Sequence, residues 1–218
     1  FFKALKVFEE IGDKLGQAKN LNNIGTVFSE QGDYAKALDY FFKALKVFEE
    51  IGDKQGQASN LGNIGIVFRE QGDYAKALDY YFKALKVFEE IGDKQGQAKN
   101  LNNIGNVFSD QGDYAKALDY YFKAVKINEE IGNKQGQASN LNNIGNVFYA
   151  QGDYAKALDY YFNALKVFEE IGDKRGQATN LNNIGNVFHA QGDYAKALDY
   201  LFKALKVFEE IGDKQGQA

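Results

Sequence analysis

The sequence predicts an all-α fold, a solenoid built from stacked antiparallel helix pairs. Three observations carry that expectation. The stretch LNNIGNVFYAQGDYAKALDYYFNA, Leu141 to Ala164, has near-copies starting at Leu21, Leu61, Leu101 and Leu181, a fixed period of 40 residues. Self-similarity at a period of roughly 20–50 residues marks a repeat array. Each copy carries apolar residues at helical spacing. Every junction is written Gly-Asp or, at Gly132-Asn133, Gly-Asn, a pairing that ends one helix and starts the next.

The repeats account for the whole chain. Residues 1–12 match the end of a unit, and 213–218 match the beginning of one. Between them lie five full repeats at 13–52, 53–92, 93–132, 133–172 and 173–212. There is no Pro and no Ser- or Gly-rich linker, so residues 1–218 are expected to form one array without a domain boundary. The opening Phe1-Phe2-Lys3 falls in mid-repeat and is read as the start of a fragment of a longer protein.

The net charge of −4 is spread evenly over the repeats, with no basic tract. Nucleic acid and anionic membrane are therefore not expected as partners. No apolar run approaches the ~20 residues of a membrane span, and no signal peptide opens the chain; a cytoplasmic location is expected. The chain lacks Cys, which excludes disulfides and thiolate sites.

Within a repeat the first helix is expected from about Lys14 to Gln31, with Ala18, Leu21, Ile24, Gly25 and Phe28 on its apolar face. Gly16 and Gly25 each cost about 1 kcal/mol against Ala. Their recurrence implies a packing reason, and Gly25 lies where a missing side chain lets two helices approach closely. Gly32 then suits the left-handed position past a helix end, and Asp33 suits the N-cap. The second helix places Tyr34, Ala37, Leu38, Phe41, Ala44, Leu45, Phe48 and Ile51 on one stripe, flanked by Tyr40, Phe42 and Val47. An arc that wide should touch both its own first helix and that of the next repeat. The opposite face holds Lys36, Asp39, Lys43, Lys46 and Glu50, with Asp39 and Lys43 at i,i+4 spacing. Gly52-Asp53 repeats the turn, and two-residue turns make neighbouring helices antiparallel.

Leu141, Ile144, Gly145, Phe148, Gly152, Tyr154, Ala157, Tyr161 and Ala164 stand in the order and spacing of the tetratricopeptide repeat signature. The chain resembles that family over its whole length. Leu takes the place of the usual Trp, the unit is 40 residues rather than about 34, and Glu169 stands where the family usually has Pro. The longer unit is similar to the arrays of Pins-type GoLoco adaptors and to uniform bacterial arrays. The resemblance implies a right-handed superhelix whose first helices line a concave surface, and an activity of binding peptide segments there.

Comparison of the repeats with one another is independent of that resemblance. In the body of the first helix they differ at five positions. These hold Lys19, Ser59, Lys99, Ser139 and Thr179; Asn22, Gly62, Asn102, Asn142 and Asn182; Thr26, Ile66, Asn106, Asn146 and Asn186; Ser29, Arg69, Ser109, Tyr149 and His189; Glu30, Glu70, Asp110, Ala150 and Ala190. The spacing makes one ridge per repeat, centred roughly 140° from the apolar face at about 100° per residue. Asn23, Asn63, Asn103, Asn143 and Asn183 border it. Asn offers two donors and an acceptor, so rows of Asn suit the regular N–H and C=O groups of an extended peptide. The ridge is expected to face water, so that Asn146→Ala would cost little stability. Tyr149 and His189 add aromatic surface toward the end of the chain. A ridge that is merely solvated, with no ligand, is the plain alternative.

No phosphate loop is present, and His189 is the sole His, so no His pair for zinc can form in one chain. The expectation is no cofactor, no metal and no catalysis, because near-identical repeats supply no asymmetric constellation. The functional expectation is a protein–protein interaction scaffold binding an extended peptide in the concave groove. The alternative is a structural solenoid with weak head-to-tail self-association, its residues 213–218 fraying unless another copy orders them.

Overall fold

The computed structural model describes residues 1–213 and Gly216. The expectation for residues 213–218 falls mostly on 214, 215, 217 and 218, outside the described residues. Among the described residues there are eleven α-helices and no strand. None of these helices is long and apolar enough to cross a membrane. The chain packs as two compact units, Phe1–Gln111 and Gly112–Ala218.

Unit 1 holds α1 (Phe2–Glu10), α2 (Lys14–Glu30), α3 (Tyr34–Glu50), α4 (Lys54–Glu70), α5 (Tyr74–Glu90) and α6 (Lys94–Asp110). The helix pairs α2·α3 and α4·α5 pack against each other, and α3 also packs on α4 and α5 on α6. The wide apolar arc of each second helix is thus used on two neighbours, as its width requires. First helices also touch along the row, α2 with α4 and α4 with α6, whereas α3 and α5 do not meet. The first helices therefore lie on the tighter side of this unit. Unit 2 holds α7 (Tyr114–Glu130), α8 (Lys134–Ala150), α9 (Tyr154–Glu170), α10 (Lys174–Ala190) and α11 (Tyr194–Glu210). Its pairs are α8·α9 and α10·α11, with α7 on α8, α9 on α10, and α8 meeting α10.

The turns form as their residues dictate. Gly32 takes φ of 76°; its N–H donates to the Ser29 carbonyl at 3.0 Å, and the Asp33 N–H donates to the Phe28 carbonyl at 2.9 Å. That closes the end of α2 in a Schellman motif. The Asp33 carboxylate then accepts from the Lys36 N–H at 3.2 Å and starts α3. Asn133 caps α8 in the same way, accepting from the Gly136 N–H at 3.0 Å.

The core is small residues against large ones. Ala18, Leu21, Ala44, Val47 and Phe48 form one buried cluster in unit 1, joined by Leu5 and Tyr40. Ala157, Tyr161, Leu165, Ile184 and Val187 form one in unit 2. Phe28 stacks on Tyr40 at 5.5 Å between ring centroids, and Phe68 on Tyr80 at 5.4 Å. Phe42 of the preceding repeat also reaches Tyr80, at 6.1 Å. Ile51 departs from the expected stripe: it is the C-cap of α3 and is exposed, because the helix ends before the stripe returns to the core. The Asp39–Lys43 pair forms at 2.6 Å on the solvent side.

The glycines of the first helix have the packing reason their recurrence implies. A Cβ on Gly65 would lie 2.7 Å from the Tyr81 ring, and one on Gly16 would lie 2.5 Å from the Phe8 ring. Gly62, one turn earlier on α4, differs: a Cβ there would meet only Asn100 at 3.9 Å.

Gly65→Ala should therefore cost about 1–3 kcal/mol through overpacking. Gly62→Ala should gain about 0.5–1 kcal/mol from the lower entropy of the unfolded chain. Urea denaturation of both variants checks this, and equal losses would refute the assigned contacts.

Acid should weaken the caps of the second helices. Lys36 hydrogen bonds, from its side chain and then its backbone, hold the Asp33 carboxyl below its ordinary value of 3.8. Asp73, Asp113, Asp153 and Asp193 are lowered in the same way by the lysines three residues on. A carboxyl that titrates lower when folded contributes stability above its unfolded pKa and loses it as pH falls through the folded one. Tm should hold down to about pH 4 and decline below it. Replacing all five by Asn, as Asn133 stands naturally, should keep the caps and flatten the decline in thermal melts.

Candidate functional site

The ridge is built on the first helices, and the structure brings its residues together at the junctions between repeats. In unit 1 an open hollow of about 330 Å³ is lined by Lys19, Asn22 and Asn23 of α2, Ser59 and Gly56 of α4, and Phe48 beneath. In unit 2 a hollow of about 360 Å³ lies in the same register, lined by Ser139, Asn142 and Asn143 of α8 and Thr179 and Arg175 of α10, with Phe168 beneath. A third, of about 220 Å³, lies one turn further along in unit 1 among Thr26, Ser29, Glu30, Asn63, Ile66 and Phe41.

The ridge residues are not all free side chains in water. Lys19, Lys99, Asn23, Asn146, Asn186, Tyr149 and His189 are exposed. Asn22, Asn63, Asn102, Asn103, Asn106, Asn142, Asn143, Asn182 and Asn183 are half-buried. Asn22 Oδ1 accepts from Asn63 Nδ2 at 3.0 Å and from Asn60 Nδ2 at 2.9 Å, both in the next repeat. Asn142 Oδ1 accepts from Asn183 Nδ2 at 2.8 Å. The Asn63 and Asn183 bonds each leave Nδ2 of the accepting Asn and Oδ1 of the donating Asn without a bond between them, a donor and an acceptor set by the junction.

Asn146 corrects the expectation that its position serves water alone. It is exposed, yet its Oδ1 accepts from the Tyr161 hydroxyl at 2.7 Å. Tyr161 is buried, and burial raises its pKa well above the ordinary value, so the phenol stays a donor. In unit 1 Arg69 Nε donates to Asp110 Oδ2 at 2.6 Å, tying α4 to α6 across the ridge. Tyr149 lies 5.7 Å from Tyr154, and His189 packs edge-on to Tyr194 at 5.5 Å.

Sequence reasoning missed the invariant Asn of the first helix. Asn20, Asn60, Asn100, Asn140 and Asn180 are all buried. A polar residue identical in every repeat, between the variable Lys19 and Asn22 positions, was the available signal. It was also missed that Asn128, at the place of Phe48, donates through Nδ2 to Asn140 Oδ1 at 2.8 Å and accepts from Asn133 Nδ2 at 2.9 Å.

A family model described as tetratricopeptide repeat matches residues 3–50, 56–130 and 136–210. The chain belongs to the tetratricopeptide repeat family. No curated protein matches this sequence. Among solved structures the array is similar to BtubC (BKLC) from P. vanneervenii, with a TM-score of 0.83 and 21% identity over 97% of this chain and 89% of that one. It is similar to aspartyl phosphate phosphatase F from Bacillus subtilis, with a TM-score of 0.87 and 20% identity over 97% of this chain. It is also similar to the Rap conjugation gene regulator of plasmid pLS20 in complex with the Phr* peptide, with a TM-score of 0.76 and 17% identity over 94% of this chain. This chain spans only 56% and 57% of the latter two. At these identities the likeness shows the fold, an all-α array of helix pairs.

Asn146→Ala should cost about 1 kcal/mol by stranding the Tyr161 hydroxyl. The double variant with Tyr161→Phe should recover most of that loss. A double-mutant cycle in urea reads the coupling directly; additive losses would refute the bond.

Proposed function

We propose that this chain is a non-catalytic protein-interaction scaffold that holds an extended peptide segment along the ridge of its first helices. The observation that carries the reading is the Asn pair at the repeat junction. In unit 1 the Asn63-to-Asn22 bond leaves Asn22 Nδ2 to donate and Asn63 Oδ1 to accept. In unit 2 the Asn183-to-Asn142 bond leaves Asn142 Nδ2 and Asn183 Oδ1 in the same relation. A peptide unit presents the complementary pair, C=O and N–H, so each junction can take one amide of an extended chain. Because the pairs are already oriented, little entropy is lost on binding. Membership of the tetratricopeptide family supports an interaction role. Solved neighbours include a Rap protein complexed with competence and sporulation factor and the plasmid regulator with the Phr* peptide.

On this reading Asn22, Asn63, Asn142 and Asn183 contact the ligand backbone, with Asn23, Asn102, Asn103, Asn106, Asn143, Asn146, Asn182 and Asn186 bordering it. Lys19 and Lys99 line the rim. Glu30, Glu70 and the Arg69–Asp110 pair give unit 1 a charged ridge; Tyr149 and His189 give unit 2 an aromatic one.

Peptides selected from a random display library on the unchanged chain test the reading. Asn23→Ala with Asn182→Ala removes two ridge side chains that make no hydrogen bond among the described residues. It should weaken binding about tenfold, or about 1.4 kcal/mol, with Tm unchanged. Asp39→Ala with Lys43→Ala, on the opposite face, should leave binding unchanged. Peptides that bind the ridge variant as tightly, or that respond only to the opposite face, would overturn the proposal.

A further inference from the structure

One hollow on the ridge has a chemistry of its own. It lies between α2 and α4, holds about 220 Å³, and is lined by Thr26, Ser29, Glu30, Phe41, Asn63 and Ile66. Thr26, Ser29, Asn63 and Ile66 are half-buried and Glu30 is exposed, so a ligand can reach it. Phe41 stands where the next three repeats place Tyr81, Tyr121 and Tyr161, and Thr26 and Ile66 are the two residues at their ridge position that are not Asn. At the α8–α10 junction the three corresponding residues are Asn146, Tyr161 and Asn186. There the Tyr161 hydroxyl donates to Asn146 Oδ1 at 2.7 Å. Between α2 and α4 the phenol hydroxyl and both amides are missing together, and the Thr26 hydroxyl is spent on the Asn22 carbonyl of its own helix at 3.2 Å. Ser29 is also smaller than Tyr149 and His189, which hold its place in the last two full repeats, so it covers less of the hollow. One charge stands at the rim. Glu30 has no ion-pair partner among the described residues. Arg69, at the place of Ser29 one repeat on, is committed to Asp110 at 2.6 Å.

We infer that this hollow anchors a branched aliphatic side chain of the bound peptide, Leu, Ile or Val, and that a Lys or Arg next to it in the ligand faces Glu30. Asn63 joins the anchor to the backbone contact. It lines the hollow, and its Oδ1 is the acceptor offered to a ligand N–H, so the ligand residue held at Asn63 has the hollow beside it. Packing against Phe41 and Ile66 takes apolar surface of both ligand and groove out of water. An Asn or Gln side chain there gives up hydration that these walls do not replace. An exposed ion pair with Glu30 adds less than that burial, so apolarity chooses the anchor and charge chooses only its neighbour. An acidic neighbour is repelled by Glu30. The anchor sets where along the array the peptide sits, which the repeating Asn pairs alone do not.

The inference rests on the ridge being a peptide site, and two measurements separate the two ideas. The first needs no peptide. In a methyl-labelled chain the Ile66 signal is followed by NMR during titration with N-acetyl-leucinamide and with N-acetyl-asparaginamide. The leucine probe should shift it saturably and the asparagine probe at least tenfold less. An Ile66 methyl that stays still, or that moves equally with both probes, overturns the anchor. The second is peptide selection from a random display library on the parent, on Glu30→Lys, and on the variant with Thr26→Asn, Phe41→Tyr and Ile66→Asn. That triple variant carries the residues of the α8–α10 junction, so it should fold as the parent does; where its thermal melt says otherwise, Ile66→Asn alone takes its place. On the parent one position should favour Leu, Ile or Val with Lys or Arg adjacent. The triple variant should lose the aliphatic preference and bind the parent's peptides about tenfold more weakly, and Glu30→Lys should lose only the basic neighbour. A consensus identical on the parent and the triple variant overturns the anchor and leaves the ridge reading standing. Failure to select any peptide on any of these proteins overturns the ridge reading, and the anchor with it.

Discussion

In α2, α4, α8 and α10 the middle of the first helix lies against a large side chain of its partner helix with no room for a methyl group between them. Gly25 meets Phe41, Gly65 meets Tyr81, Gly145 meets Tyr161 and Gly185 meets Leu201. The glycine costs about 1 kcal/mol of helix propensity. Burying the facing side chain returns about 1.5–3 kcal/mol, so the contact favours the pair. It also fixes how closely the pair sits, and hence where the opposite face of the first helix is presented. A second glycine, at the N3 position, repeats the device between repeats: Gly16 lies under Phe8 while its N–H donates to Asp13 Oδ1 at 2.9 Å.

The junctions between repeats carry the polar side of this packing. An unmet buried acceptor costs about 1–3 kcal/mol, and the Oδ1 atoms of Asn20, Asn60, Asn100 and Asn180 are such acceptors. Asn140 shows how one is satisfied. Asn128 stands where the other second helices place Phe, and donates to Asn140 Oδ1. Asn133, in turn, stands where the other turns place Asp, and its Nδ2 donates to Asn128 Oδ1. Asp at that position has no N–H to give. The two substitutions meet at one junction between consecutive repeats, where apolar burial by Phe is exchanged for a chain of amide bonds.

Most of the fold was legible because it is written in local rules. The period, the Gly-Asp turns and the apolar stripe each act within about twenty residues, so the helix bounds and caps followed from neighbours in sequence. Gly25 was legible as a close contact because its cost is local even though its partner is not. What stayed hidden needs the next repeat. Asn22 reads as a surface amide until Asn60 and Asn63 are placed beside it, and Arg69 reads as a free cation until Asp110 is. The buried Asn20 row was hidden for the opposite reason. Polarity argues for water, and only the neighbouring first helix, α4 beside α2, decides otherwise. Ile51 failed in the other direction, since period alone cannot say that a helix stops before its stripe closes.

On the proposed reading, these hidden bonds make the junction the unit of recognition. The two amide atoms left over at the junction of α2 and α4 come from two repeats, Nδ2 of Asn22 and Oδ1 of Asn63, and the bond between the same two residues constrains both amides. A single repeat would present Asn22 with a rotatable amide and no fixed direction. On the proposed reading, ligand affinity and array stability are coupled at the same atoms. The differences among repeats follow from that coupling. The second helices, whose faces are spent on two neighbours, vary less, mostly by exchange of one apolar or aromatic residue for another. Variation falls on the ridge, where a change at one residue alters a junction rather than a core, as Gly62 does.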